Sequence, residues 1–228
     1  MSAAHALQRQ FKELAKHPVP GFRVTLKDDN IFVWEVGIIG PPGTAFEGGY
    51  FLATMKFPSD FPFNPPTFNF NNKKFFHPNV YPEGDKAGEL CVSILHPPSS
   101  DETLGERPEE QWNPARNIES VLISIVSLLS DPNCSSPANV DAGVLYRKDR
   151  PAYNQRIKDL VTESKKDIPP DLVMPTSEKD FVMKPPPTED EDDSFLWDDA
   201  GDDDYDDDED MDFDEGSDDD VGVEDDEH

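Results

Sequence analysis

The charge on this chain is concentrated at one end, and that limits how much of it can fold. Residues 189–228 carry 25 Asp and Glu and no Lys or Arg. Like charges at that density repel, and too few aliphatic side chains accompany them to offset the entropy of ordering. The stretch is expected to be a disordered acidic tail. The net charge of the 228 residues is −29, yet removing those 25 acids from the total of 49 leaves 24 against 20 Lys and Arg in residues 1–188. That is an ordinary balance for a globular domain, so the fold must be built there. Within it, residues 1–165 read as the domain and 166–188 as a linker, marked by Pro169-Pro170 and Pro185-Pro186-Pro187.

The same composition narrows the chemistry. An acidic chain without a phosphate-cradling glycine loop gives no reason to expect nucleic acid as a partner. No stretch reaches the ~18 apolar residues of a membrane span, and the N-terminus lacks the charged-then-apolar pattern of a signal sequence. Two cysteines, Cys91 and Cys134, make no disulfide framework. The five histidines are scattered without metal-ligand spacing. A reduced, intracellular protein of cytoplasm and nucleus is expected, with no metal and no cofactor.

Hydrophobic periodicity predicts an α+β domain. Ser2 can cap a helix to about Lys16, with Leu7, Phe11, Leu14 and Ala15 on one face. Phe22, Val24 and Leu26 alternate with polar residues, as do Phe32, Trp34, Val36 and Ile38, and then Phe51, Ala53, Met55 and Phe57. A turn at Asp28-Asp29-Asn30 and a break at Pro41-Pro42-Gly43 separate these strands. A fourth strand fits Thr67 to Phe70, giving a four-stranded antiparallel meander. Asn117 can cap a helix to about Leu129 that is apolar nearly all round and is expected behind the sheet. Val140 to Tyr146 fits a short helix. Asp149 caps a last one, with Tyr153, Ile157, Leu160 and Val161 on one face.

One stretch carries candidate chemistry, Phe75 to His96, FFHPNVYPEGDKAGELCVSILH. Pro78 fixes its own φ and pushes His77 toward extended geometry, so His77-Pro78-Asn79 is a stiff turn. Pro82, Glu83, Gly84, Asp85 and Gly88 form a turn-rich loop before Cys91. A thiol and an amide held on a segment that folds back on itself suit acyl transfer, with a thiolate nucleophile and an amide donor for the oxyanion. A lone cysteine among aliphatics is otherwise a small buried hydrophobe.

His77-Pro78-Asn79, a glycine turn and Cys91-Val92-Ser93-Ile94-Leu95 together resemble the active-site stretch of ubiquitin-conjugating enzymes. Pro62-Phe63-Asn64-Pro65-Pro66 before it and Trp112-Asn113-Pro114-Ala115 after it continue the likeness, in the family's order, over about residues 1–165. The resemblance implies that Cys91 accepts ubiquitin as a thioester from the ubiquitin-activating enzyme and gives it to a lysine amine. It implies that Asn79 either contacts the oxyanion or braces its loop. By the same resemblance Ser136 would lie near the incoming lysine or cap a turn, and His77 and Pro78 would be structural at the site. Phe63, Pro114 and Ala115 would contact a RING ligase, with Arg9 and Lys12 as further candidates on the first helix.

The long segment after the cysteine, with Asp101, Glu102, Glu106, Glu109 and Glu110, resembles the acidic loop of the branch dedicated to cullin–RING ligases. Ser136 to Ala142 and the acidic C-terminus are similar to that branch too. The stretch from Asn79 to Cys91 is a few residues longer than is usual in the family. Two other readings compete. A cysteine hydrolase would pair Cys91 with His77 or His96, but the context is neither papain-like nor caspase-like. A non-catalytic scaffold or acidic chaperone would not need Cys91.

Overall fold

The computed structural model describes residues 2–98 and 107–175. Asp101, Glu102 and Glu106 of the acidic loop, and the acidic tail, lie outside the described residues. All described residues fall in one unit, Met1–Pro186.

Helix α1 spans Ala3–Lys16, and the Ser2 hydroxyl caps it by accepting from the His5 N–H. Ala6, Leu7 and Leu14 are buried, and Phe11 packs edge-on against Trp34 with ring centroids 5.2 Å apart. Ala15, placed on the apolar face by its spacing, is exposed instead. The buried stripe runs through Ala6 and Leu7, which rotates the helix away from Ala15.

Strands β1 (Phe22–Lys27), β2 (Asn30–Ile39), β3 (Tyr50–Lys56) and β4 (Thr67–Phe70) form the antiparallel meander in sequence order. Asp28 and Asp29 both have positive φ, 51° and 53°. Short acidic and amide side chains tolerate that region, and two such residues in succession match the twist of a tight hairpin. Asn30 is already in β2, and its Oδ1 accepts from the Phe32 N–H. The register aligns Val24, Val36, Ala53 and Phe70 across the sheet, and beside them Leu26, Trp34, Met55 and Phe68. These two rows make the inner face.

Helix α2 (Ile118–Ser130) is capped by Asn117 Oδ1 on the Ser120 N–H at 2.9 Å. Ile118, Val121, Leu122, Ile125 and Leu129 join the same core as the sheet and α1. The helix is not buried all round, as its apolar content suggested. Ile123 is exposed, and Ser124, Ser127 and Ser130 each return their hydroxyl to the carbonyl four residues back. These serines satisfy themselves and leave one face open. Helices α3 (Val140–Lys148) and α4 (Arg150–Ser164) follow, capped by Asn139 and Asp149. From α4, Tyr153, Ile157, Leu160 and Val161 enter the core, as their spacing predicts.

Two irregular segments position the site. Residues 88–90 run back along the free edge of β4: Phe70 N–H donates to Gly88 O and Leu90 N–H to Phe68 O, both at 2.8 Å. Gly88 has φ +84°, and a Cβ there would stand 2.7 Å from Phe70 O, so only glycine fits this approach. The end of α4 and the chain beyond it also stay on the domain. Tyr50 N–H donates to Ser164 Oγ at 3.0 Å, Arg23 pairs with Asp171 at 2.9 Å, and Leu172 lines a groove with Phe11, Leu14 and Val19. The first residues of the stretch read as linker are therefore packed against the sheet and α1.

Candidate active site

His77 is the first residue of the site and is fully buried. Its Nδ1 accepts from the Asn79 N–H at 3.0 Å, and its Nε2–H donates to the Leu128 carbonyl, near the end of α2, at 3.1 Å. Both ring nitrogens are thus satisfied with the imidazole neutral. Burial penalises the charged form and pushes the pKa down to about 4, although the Leu128 carbonyl opposes the shift. Pro78 O accepts from the N–H of Asn139, the cap of α3, at 2.9 Å.

Asn79 is buried as well. Its Nδ2 donates to Asn133 O and its Oδ1 accepts from the Asn133 N–H, both at 2.9 Å. Its own carbonyl accepts from the Cys91 N–H at 2.8 Å. One asparagine thus ties the loop after α2 to the backbone of the cysteine.

The stretch between Asn79 and Cys91 folds as two arms joined by turns. Val80 bridges Leu90, Tyr81 N–H donates to Glu89 O at 3.0 Å, and Gly88 N–H returns to Tyr81 O at 2.8 Å. Gly84–Ala87 and Lys86–Glu89 close the tip, each with a turn hydrogen bond, which takes up the longer stretch. Cys91 emerges partly exposed. The Tyr81 hydroxyl donates to Cys91 Sγ at 3.6 Å, and His96 Nε2 stands 3.5 Å from the same sulfur. The hydrogen bond to Cys91 is the leading cause of the rise in the Tyr81 pKa to about 12. Tyr81 was not singled out from the sequence. The pairing of residues 79–81 with 89–91 would have pointed to it, because it sets Tyr81 beside the cysteine. Of the two histidines weighed as partners of the thiol, His96 is brought to it, whereas both ring nitrogens of His77 are engaged elsewhere.

Ser136 is exposed on the loop that Asn133 anchors. Cys134 is on that loop too, and burial pushes its thiol pKa up. Phe63 is 71% exposed, while Phe61, two residues earlier, fills the core. Pro114 and Ala115 are exposed on the next loop. The two loops are joined, since the Trp112 indole N–H donates to Pro62 O at 2.7 Å. Arg9 and Lys12 are exposed on α1. That helix is tied to the same region through Gln10 Oε1, which accepts from the Ile118 N–H at 2.8 Å. Glu109 and Glu110 are exposed in a short 3-10 turn, Pro108–Glu110, where Arg107 pairs with Glu110 at 3.1 Å.

Cys91 thus presents a partly exposed thiol on a backbone-braced segment, with the Tyr81 hydroxyl and the His96 imidazole at its sulfur. The chain belongs to the ubiquitin-conjugating enzyme family, whose model matches residues 6–161. It is similar to ubiquitin-conjugating enzyme E2-34 kDa of Saccharomyces cerevisiae, at 46% identity over 212 residues, covering 89% of this chain and 70% of the yeast protein. It is also similar to ubiquitin-conjugating enzyme E2 13 of Arabidopsis thaliana, at 47% identity over 159 residues, covering 69% of this chain and 93% of the relative. The protein is accordingly a ubiquitin transferase.

The buried neutral His77 gives a pH prediction. Above about pH 6.5 the ring is neutral whether the chain is folded or not. As pH falls below that, the unfolded chain takes up a proton that the folded site refuses until about pH 4. Stability therefore falls with falling pH across that window, by about 3 kcal/mol from this group. His77→Gln should be less stable than wild type at pH 7, and the gap in urea-unfolding free energy should narrow toward pH 4. A gap that stays constant over the window would show that the ring is not held neutral by burial.

Proposed function

We propose that Cys91 is the residue that carries ubiquitin, and that the enzyme works with a RING ligase of the cullin type. It passes ubiquitin to lysines of a substrate or of ubiquitin itself, building chains. The observation that carries the first part is the placement of Cys91. It is partly exposed, its N–H is fixed on Asn79 O, and a hydroxyl is aimed at its sulfur. Cys134 has no such frame. Sγ of Cys91 attacks the thioester carbonyl offered by the activating enzyme, forms the new C–S bond and expels the other sulfur. A lysine nitrogen then attacks the same carbonyl and Cys91 leaves. Exchange between two thioesters is nearly isoenergetic, so the protein's task is positioning.

Asn79 acts first as a brace, because both ends of its amide already hold Asn133. Contact with the oxyanion would require one of those bonds to yield. Phe63, Pro114 and Ala115 form the ligase-facing surface, with Arg9 and Lys12 near it. An exposed aromatic on a tied loop is a good anchor for a protein partner. The cullin assignment is supported by the acidic segment after the cysteine, by the acidic tail, and by similarity to the yeast enzyme that runs well past residue 161.

With activating enzyme, ubiquitin and ATP, wild type should form a thiol-sensitive adduct. Cys91→Ala should form none, and Cys91→Ser should form a thiol-resistant oxyester, because oxygen replaces sulfur in the bond. A thiol-sensitive adduct on Cys91→Ala would overturn the assignment. In the same assay Asn79→Ala should lose charging and discharge together if the amide is a brace. Loss of discharge alone, by ~10²–10³, would mark an oxyanion donor instead.

The tail's role follows from its charge. A polyanion gains little from any one exposed pair but speeds encounter with a basic surface. Association with a cullin–RING ligase should approach ~10⁸–10⁹ M⁻¹s⁻¹ at low salt for the full chain. It should be much slower for a variant ending at Pro187, and the two should converge as the Debye length drops below ~5 Å. Chain length on ligase-bound substrate should shorten in parallel. Equal stopped-flow rates at every salt concentration would leave the tail without this role.

A further inference from the structure

The longer stretch between Asn79 and Cys91 does more than connect them, because its tip sets an amine beside the nucleophile. Ala87 N–H closes one turn on Gly84 O at 3.0 Å, and Glu89 N–H closes a second on Lys86 O at 2.8 Å. Gly84 and Gly88, on either side of Lys86, take positive φ of 75° and 84°. The tip is thereby folded back over the first arm, and Lys86 Nζ stands 5.4 Å from the Tyr81 ring centroid. The hydroxyl of that same ring donates to Cys91 Sγ at 3.6 Å. One tyrosine side chain thus spans the interval from amine to sulfur.

The amine is lightly held. Its ion partner is Glu89 at 3.7 Å, and the Lys86 side chain is 62% exposed. An exposed pair of that length contributes little, so the flexible four-carbon stem can swing along the ring toward the sulfur. Lys73 also comes up against this loop, with Cδ 3.2 Å from where a Cβ on Gly88 would lie, but its Nζ is held on Asn69 Oδ1 at 2.6 Å. Residues 189–228 contain no lysine at all.

We propose that Lys86 is a ubiquitin acceptor in cis, a site at which the enzyme modifies itself. The proposal rests on Cys91 carrying ubiquitin as a thioester. The carbonyl carbon of that thioester is bonded directly to Sγ, so the swing that approaches the sulfur also approaches the carbon. The Lys86 nitrogen, as the free amine, forms a bond to the carbonyl carbon. The C–S bond breaks with its electron pair on Sγ, and the proton released by nitrogen passes to that sulfur or to solvent. The products are an isopeptide on Lys86 and a free Cys91 thiol, and no further reactant is consumed. A local swing replaces an encounter, so the step needs neither a ligase nor a second enzyme molecule. It loses to a lysine that a ligase holds in place, and it prevails when none is supplied. The longer loop therefore gives an idle thioester a fixed outlet.

The test follows the full chain after charging with activating enzyme, ubiquitin and ATP, once ATP has been removed and with no ligase or free lysine present. Wild type should convert its thiol-sensitive adduct into a thiol-resistant one. The half-time should be unchanged over a tenfold dilution of the enzyme, as a step in cis requires. Tryptic mass spectrometry should place the diglycine remnant on Lys86. Lys86→Arg keeps the positive charge over Tyr81 but cannot be acylated there. Its thiol-resistant adduct should form about tenfold more slowly or less, since any other lysine lacks this proximity. Lys73→Arg should leave the wild-type rate unchanged. A remnant mapped to other lysines, a rate that falls with dilution, or an equal rate in Lys86→Arg would each overturn the acceptor role while leaving the conjugating reading intact. Failure of wild type to form any thiol-sensitive adduct on Cys91 would overturn both.

Discussion

The geometry of the site depends on a small buried polar cluster, and at its centre is a histidine that must be neutral. His77 joins the Asn79 N–H to the Leu128 carbonyl, Asn79 joins both backbone groups of Asn133 to the Cys91 N–H, and Pro78 O holds the cap of α3. Each such bond contributes only about 1 kcal/mol net, but leaving one of these buried groups unpaired costs about 1–3 kcal/mol. The cluster is therefore closer to all-or-none than its individual bonds suggest. A protonated His77 would have no acceptor for its Nδ1–H, which faces the Asn79 N–H. The position of Cys91 thus depends on a neutral ring that does not contact it.

A second tie links this site to the surface proposed to receive the ligase. Trp112 is buried, its indole holds Pro62 O beside the exposed Phe63, and its backbone N–H holds the carbonyl of His96. The same residue thus fixes one end of the turn that follows Cys91 and the base of the loop that displays Phe63. Pro114 and Ala115 follow Trp112 directly. A partner pressing on that surface acts on a rigid frame that reaches the thiol through few intermediates. Contiguity of this kind is a route, and coupling along it is a matter for measurement.

The sequence made the regular parts legible because they rest on local signals. Alternation in Val24, Trp34, Val36, Ala53 and Met55 set the strands and their inner face, and Ser2, Asn117 and Asp149 announced the helix starts. Local errors came from weighing apolar content over polar spacing. The serines at 124, 127 and 130 already marked an open face on α2, and Ala15 was one position outside the buried stripe. The site was only half legible. His77, Asn79 and Cys91 stood out as a motif, but their partners Leu128 and Asn133 are about fifty residues away in sequence. Backbone groups of that kind carry no residue-type signal. Leu172 was missed for a related reason, since one apolar residue in a proline-rich stretch sets up no period.

His96 shows how local and distant determinants combine. Five residues from Cys91 is neither helical nor strand spacing, so proximity along the chain gave no ground for contact. Contact arises because Val92 is extended and Ser93–Leu95 then turn as a 3-10 helix, and because Trp112 seizes the carbonyl that follows. A regular α-helix would place residues five apart on different faces. An extended strand would separate their Cα atoms by about 17 Å. Only an irregular segment with an external anchor brings imidazole to thiol. In this fold that anchor also holds the loop of Phe63, so one buried indole-bearing residue supports both the irregular backbone after the cysteine and the surface proposed to receive the ligase.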